Sequence, residues 1–199
     1  RCISLTSVTI PDSVTSIGER AFWDCSLLFS IDIPDGVISI GKEAFRDCSS
    51  LGNVAISSQS ALTLIGSSAF SGCSSLTSIN IPDGVTEIGS SAFNGCSLLV
   101  KVEISSQSAL TSIGSYTFYN CSSLTSINIP DGVTSIDDYT FQGCSSLASI
   151  NIPRGVTSIG YQAFYACSSL ASINIPSDVT SIGDYAFYAC SFTSIILPY

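Results

Sequence analysis

The sequence predicts a solenoid of about eight stacked turns built from short parallel strands, and three regularities carry this prediction. Nine cysteines recur every 23 or 25 residues along the 199-residue chain. A phenylalanine stands three residues before eight of these cysteines, and aliphatic residues recur at fixed positions after all but the last. Self-similarity at a period of roughly 20–50 residues is typical of repeat proteins, in which each unit buries its apolar side by stacking on its neighbours.

The repeating unit divides into three parts with different patterns. One unit reads Cys121-Ser-Ser-Leu124-Thr-Ser-Ile127-Asn-Ile129-Pro130-Asp-Gly-Val133-Thr-Ser-Ile136 and continues to Phe141 and Cys144. The segment Leu-x-x-Ile-x-Ile alternates and stops at proline, which predicts a short parallel strand. Val-x-x-Ile predicts a second, shorter extended stretch. The stretch from glycine to cysteine, such as 183–190, has the length of a single turn of α-helix or 3₁₀-helix.

These units resemble the BspA-type leucine-rich repeat, a variety found in many bacterial and protist surface proteins. The segments Ile-Pro-Asp-Gly-Val, Ile-Gly, Ala-Phe and Cys-Ser-Ser-Leu recur in this order across residues 2–198. The resemblance implies a curved, right-handed leucine-rich-repeat solenoid, and it implies adhesion or host interaction as the role. We expect residues 1–199 to form a single array within a longer one, with repeat boundaries near Cys2, Cys25, Cys48, Cys73, Cys96, Cys121, Cys144, Cys167 and Cys190.

The composition argues against several classes of function. The net charge is −9 and the six basic residues are scattered singly, so the chain lacks the clustered basic stripe that nucleic-acid binding needs. No apolar stretch approaches the ~20 residues of a membrane span, so we expect no membrane insertion. The chain has no histidine and no recognisable pairing of a nucleophile with a base. We therefore expect neither catalysis nor a bound metal or cofactor.

The cysteine column has three interpretations: disulfides, metal ligands or buried thiols. Stacked units place neighbouring Cα atoms about 5 Å apart, which is within the range for a disulfide. The side chains of one column point the same way, however, and nine is an odd number. A metal site would need ligands that converge from different directions. We expect a row of unbridged, buried thiols, beside a phenylalanine column that forms the core spine rather than an aromatic binding stripe.

Two further columns supply candidate binding residues. All eight tyrosines follow position 115, and six of them flank the spine phenylalanine where earlier units carry other residue types: Tyr116, Tyr119, Tyr139, Tyr165, Tyr185 and Tyr188. Exposed, rigid rings are typical of interface anchors and can also stack on sugars. Duplication of a functionally neutral tyrosine is the competing interpretation. The predicted long strands present Asn128, Asn151 and Asn174, which either hydrogen-bond along their own column or form a polar binding face.

One modification site matches the sequence pattern for N-glycosylation. Asn120 is followed by Cys121 and Ser122, which satisfies the pattern, although the middle residue belongs to the cysteine column.

Together, these features predict a non-enzymatic binding or adhesion module that presents a polar solenoid surface to a protein or glycan partner, outside the cell or at its surface. The alternative is a structural scaffold in which chains self-associate end to end in a filament, coat or stalk. The two hypotheses differ in where contacts form, because a binding module uses the sides of the solenoid and a scaffold uses its ends.

Overall fold

Each repeat of the solenoid contributes one long strand and one short strand. The computed structural model of the protein describes residues 2–196. The long strands, numbered in chain order, are Ser30–Ile33 (β2), Asn53–Ile56 (β4), Ser78–Ile81 (β6), Lys101–Ile104 (β8), Ser126–Asn128 (β10), Ser149–Asn151 (β12), Ser172–Asn174 (β14) and Ser194–Ile196 (β16). The short strands are Ser16–Ile17 (β1), Ser39–Ile40 (β3), Leu64–Ile65 (β5), Glu87–Ile88 (β7), Ser112–Ile113 (β9), Ser135–Ile136 (β11), Ser158–Ile159 (β13) and Ser181–Ile182 (β15).

Strands of the same type pair in parallel and in register between most neighbouring repeats, and the ladders are interrupted between β4 and β6, between β9 and β11 and between β12 and β14. Asn128 of β10 lies opposite Asn151 of β12, and Ile136 of β11 lies opposite Ile159 of β13. Neighbouring strands in a sheet are about 4.8 Å apart. Each residue therefore lies beside its equivalent in the next repeat, and every column of the aligned sequence becomes a column on the molecule. This confirms the predicted parallel-strand solenoid.

The stretches from the end of each short strand to the next cysteine form turn ribbons at 18–25, 41–48, 66–73, 89–96, 114–121, 137–144, 160–167 and 183–190. The expected turn of α-helix or 3₁₀-helix is not there, since the ribbons consist of successive β-turns and residues 2–196 contain no helix. No helical segment of this part of the chain is thus long and apolar enough to cross a membrane.

Backbone conformation explains why the ribbons are not helical. Two residues of each ribbon have a left-handed φ, as Tyr139 does at 60° and Gly143 at 74°. The ribbon amides donate sideways to the next repeat, for example from Tyr139 N–H to Tyr161 O at 2.9 Å and from Phe141 N–H to Ala163 O at 2.8 Å. In a helix these amides would bond to carbonyls of the same segment. A left-handed non-glycine residue costs about 1–2 kcal/mol, and the lateral hydrogen bonds offset this cost.

The phenylalanine column forms the core spine that the sequence predicts. Successive rings from Phe22 to Phe187 stack with centroids 5.1–5.5 Å apart and planes within 3–11° of parallel. The rings are fully buried from Phe45 to Phe164. Beside this spine, buried and exposed side chains alternate along the long strands. Ile127, for example, is buried and Asn128 is exposed. Stacked rings and inward aliphatic side chains thus fill one continuous core.

The cysteine thiols form hydrogen bonds along the solenoid and no disulfides. All nine are free, and the seven from Cys25 to Cys167 are buried, whereas Cys2 is exposed and Cys190 is partly exposed. Each thiol from Cys48 to Cys190 donates to the carbonyl oxygen of the phenylalanine one repeat earlier, at 3.0–3.2 Å. The expected row of unbridged thiols is present, and only the two ends of the row are less buried than predicted.

The Phe141→Ala variant should lower the free energy of unfolding by roughly 3–5 kcal/mol. The substitution removes a ring that stacks on Phe118 at 5.5 Å and on Phe164 at 5.3 Å. Tyr139→Ala should cost much less, because its ring lies outside the core. Urea melts of both variants and the unsubstituted protein measure the two effects. Equal destabilisation would contradict the inward and outward assignments.

Thiol counting should find nine free thiols after denaturation without reductant, because all nine are unbridged and those from Cys48 to Cys190 have carbonyl acceptors as partners. In the folded protein, exposed Cys2 should react first with a thiol reagent, and the buried cysteines should react only as the protein opens. Pairing of most thiols in the denatured sample would disprove the unbridged row.

The protein should lose stability at alkaline pH because burial raises the pKa of the thiols from 9.0, to about 12 at Cys48 and Cys96. Below about pH 8, thiols are protonated in both states and contribute no pH dependence. Between about pH 9 and pH 12, the unfolded chain releases thiol protons that the folded chain keeps. The free energy of unfolding should then fall by about 1.4 kcal/mol per pH unit for each such thiol.

The Cys96→Ala variant isolates the contribution of one thiol, because the substitution removes no other ionisable group. Urea melts from about pH 7 to pH 11 should show an alkaline slope that is smaller by about 1.4 kcal/mol per pH unit in this variant. An unchanged slope would mean that Cys96 already ionises in the folded state.

Candidate binding surface on the turn ribbons

The side chains of the turn ribbons form an outer surface, which we call the turn face. Three positions of each ribbon supply it: the residues three and two before the spine phenylalanine and the residue after it. In ribbon 137–144 these are Asp138, Tyr139 and Gln142, whereas Thr140 and Phe141 are fully buried. The residue two before phenylalanine has a left-handed φ in every ribbon. In the other ribbons the same three positions are at least partly exposed, except that Glu43 is buried.

The chemistry of the turn face changes along the chain. At the three positions, the first two ribbons carry Glu19, Arg20, Trp23, Lys42, Glu43 and Arg46. The next two carry only serine and asparagine, and the last four carry seven tyrosines with a few polar residues. The turn face therefore has a charged zone, a zone of small polar side chains and an aromatic zone, in that order.

The tyrosines of the aromatic zone form one connected set of rings, which we call the tyrosine ladder. Its members are Tyr116, Tyr119, Tyr139, Tyr161, Tyr165, Tyr185 and Tyr188. Tyr116 stacks on Tyr139 with centroids 4.3 Å apart, and Tyr165 stacks on Tyr188 at 5.3 Å. The structure thus brings all six candidate tyrosines together on one surface.

Tyr161 links the two halves of the ladder, and sequence reasoning did not single it out. Its ring lies edge-on to Tyr139 at 5.2 Å and to Tyr185 at 6.1 Å. Tyr161 stands three residues before the spine phenylalanine, where earlier ribbons carry Glu19 and Lys42. Polar residues at this position in earlier repeats indicate an exposed column, and this signal could have identified Tyr161 as a candidate. Tyr199 lies outside the described residues.

The rings differ in exposure. Tyr185 and Tyr188 are 58% and 57% exposed, and the others are partly buried against one another. Partial burial raises the pKa of the phenols of Tyr139 and Tyr161, and the Tyr161 hydroxyl accepts a hydrogen bond from Gln162 Nε2 at 3.0 Å. The phenol groups of Tyr139 and Tyr161 are therefore neutral at neutral pH.

The charged side chains of the ribbons that carry the tyrosine ladder are all acidic. Asp137, Asp138 and Asp184 belong to the same ribbons, and no lysine or arginine occurs in the ribbons from position 114 onward. The Asp138 carboxylate accepts the backbone N–H of Tyr161 at 2.7 Å, which ties adjacent ribbons together. The aromatic zone is consequently apolar with a negative margin.

In the charged zone, side chains from two neighbouring ribbons form a compact ion-pair cluster. Glu43 is only 8% exposed and accepts hydrogen bonds from Arg20 and from Arg46. The hydrogen bond from Arg20 is the main reason that the pKa of Glu43 is lowered. Arg20 also lies 6.0 Å from the ring centroid of Trp23. Because Glu43 pairs with both arginines, the cluster is not the stripe of unpaired positive charge that nucleic-acid binding needs.

The asparagine candidates lie on the long-strand face, apart from the turn face. Asn128, Asn151 and Asn174 are exposed. Among residues 2–196, no side-chain hydrogen bond joins these three, whereas Asn80 Nδ2 donates to Ile56 O at 3.2 Å. Of the two interpretations of this column, hydrogen bonding along itself is therefore not seen among the described residues, and a polar binding face stays a prediction.

Asn120 is exposed beside the ladder, and its glycosylation stays a prediction. The adjacent Cys121 thiol is buried, and the Ser122 hydroxyl donates to Ser97 O at 3.3 Å. Elsewhere in residues 2–196, no group of three or more side chains is arranged to hold a metal ion.

Comparison with known proteins places this repeat in a family. The chain matches the BspA type leucine-rich repeat region, in six copies, over residues 1–108 and 99–199. No significant match was found among curated proteins.

Solved structures agree with this match. A leucine-rich repeat protein from Bacteroides ovatus is 32% identical, with a TM-score of 0.81 over 98% of this chain and 55% of its own length. A leucine-rich repeat protein from T. pallidum is 31% identical, with a TM-score of 0.77 over 83% of this chain and 78% of its own. The chain thus spans about half of the Bacteroides ovatus protein. From the repeat, the fold and these relatives together, the chain belongs to the BspA-type leucine-rich repeat family.

Proposed function

We propose that the protein is a non-enzymatic binding module that uses the tyrosine ladder to hold a protein or glycan partner at the cell surface. The observation that carries this proposal is the continuity of the ladder, in which seven rings contact one another across four repeats. Leucine-rich repeats generally serve binding rather than catalysis, and the proposed location follows from the surface proteins in which this repeat occurs.

The physical properties of the ladder suit recognition. Tyrosine supplies a large apolar ring and a polar phenol group with few rotatable bonds, so it loses little conformational entropy on binding. Contacts between rings, such as the stacked pair Tyr116 and Tyr139, fix the side chains before a partner arrives. A preorganised surface binds more tightly than a mobile one of equal area.

The charges around the ladder restrict the partner. Because Asp138 and Asp184 flank the rings and no base does, an acidic protein surface would be repelled. A neutral glycan or a basic protein surface is compatible with this margin. Sugar rings present C–H faces that stack on aromatic rings, and their hydroxyls accept and donate hydrogen bonds at the phenol groups.

Replacing Tyr119, Tyr165 and Tyr188 together by serine should abolish binding to neutral oligosaccharides or purified extracellular-matrix proteins immobilised as a panel. The free energy of unfolding should fall by no more than about 2 kcal/mol, because the three rings lie outside the core. Surface plasmon resonance measures the binding, and urea melts measure the stability.

The matched control replaces the same three tyrosines by phenylalanine, which keeps the rings and should retain most of the binding. If the serine variant fails to fold, the rings are structural. If it folds and binds as the unsubstituted protein does, the site moves to the Asn128, Asn151 and Asn174 face. Either result would refute the assignment of binding to the ladder.

A further inference from the structure

A depression on the long-strand face has a donor-rich lining. It has a volume of about 730 Å³ and lies between the ends of β12 and β14. Its polar lining consists of Asp131, Asn151, Arg154, Asn174 and Ser177, with two prolines beside them. Volumes of roughly 300–1,000 Å³ are typical of small-ligand sites. This site is separate from the turn face, so its function does not depend on the tyrosine ladder.

Arg154 places a positive charge at a repeat position that carries an aspartate in four earlier repeats. The residue after the corner proline is aspartate at Asp12, Asp35, Asp83 and Asp131, and it is Ser177 in the repeat that follows. Arg154 is also the only base between positions 102 and 199 of a chain with a net charge of −9. A single positive charge therefore stands at the edge of this depression, with Asp131 in the preceding repeat and Ser177, which is followed by Asp178, in the next.

The guanidinium of Arg154 is available to a ligand. Arg154 is exposed, and among residues 2–196 it forms no ion pair within 4.0 Å and no side-chain hydrogen bond. Planar guanidinium groups bind carboxylates with two parallel hydrogen bonds. Carboxylates stand on both sides of Arg154, because Asp131 lines the depression and the Ser177 hydroxyl donates to Asp178 Oδ1 at 3.3 Å, so a ligand carboxylate has to reach the guanidinium between them.

The amides of Asn151 and Asn174 complete the lining. They occupy the same position in β12 and β14, which belong to adjacent repeats but to separate sheets, and both residues line the depression. Neither has a hydrogen-bond partner among the described residues, in contrast to Asn80, whose amide is held by Ile56 O. An amide both donates and accepts hydrogen bonds, which suits adjacent hydroxyl groups.

A second depression on the same face contains a basic side chain that is already paired with an acidic one. It has a volume of about 550 Å³ and contains Lys101, whose Nζ lies 2.6 Å from Glu103 Oε1. Asp83 in the same depression accepts a hydrogen bond from the Ser105 hydroxyl. The base there is already neutralised, so Lys101 provides a matched control for Arg154.

We propose that the depression around Arg154 binds an acidic sugar, with the carboxylate on the guanidinium and the sugar hydroxyls on Asn151 and Asn174. The polar lining favours a hydroxylated ligand over an apolar peptide. The net charge of the chain opposes the approach of any anion, so affinity comes from these short-range contacts and not from long-range attraction.

The test measures binding of trigalacturonate to the chain by calorimetry, with maltotriose and triglutamate as comparison ligands. Trigalacturonate should bind best. Arg154→Gln should weaken its binding by roughly 10-fold or more, because a charge-assisted bidentate contact is lost. Ser177→Asp should have a similar effect, since it adds to Asp178 a second carboxylate that repels the ligand carboxylate and can pair with Arg154. Lys101→Gln should leave the affinity unchanged.

Each alternative outcome counts against the proposal. Triglutamate binding as tightly as trigalacturonate would make the site a peptide site, and maltotriose binding equally would remove the role of the carboxylate. Equal affinity in Arg154→Gln and the unsubstituted protein, or no trigalacturonate binding at all, would overturn it. Arg154 and Ser177 are both exposed, so thermal melts should show that the variants remain folded.

Discussion

The register of backbone hydrogen bonds between successive repeats is the constraint on which the other features of this protein depend. The ribbon amides and the strand amides bond to the next repeat and fix its position along the axis. Once this register is set, equivalent side chains are about 5 Å apart, whatever their chemistry. Phenylalanine rings stack, thiols reach carbonyl oxygens and tyrosines contact one another for this one geometric reason.

That constraint also explains how much the sequence could predict. In a solenoid a column of aligned residues is a column in space, so the buried spine at Phe141 and the exposed position of Asn128 follow from the alignment alone. The clustering of Tyr116 with Tyr139 follows as well, because they occupy one column in adjacent repeats. Few folds permit such direct inference, since elsewhere neighbours in space are seldom equivalent in sequence.

Contacts between columns were harder to predict. Tyr161 belongs to a different column from Tyr139 and Tyr185, and only the path of the ribbon brings their rings together. The expected helical turn failed for a related reason, because the length of a segment does not reveal whether its amides bond within it or to the next repeat. The charged group around Glu43 likewise depends on side-chain rotamers, which alignment does not specify.

The thiol row has a consequence for how such a chain matures. Since each buried thiol from Cys48 to Cys167 satisfies a carbonyl group of the preceding repeat, folding requires neither an oxidant nor an isomerase that rearranges disulfides. The same contacts form inside a reducing cell and in an oxidising exterior. Only Cys2, which is exposed, and Cys190, which is partly exposed, can meet an oxidant while the protein is folded.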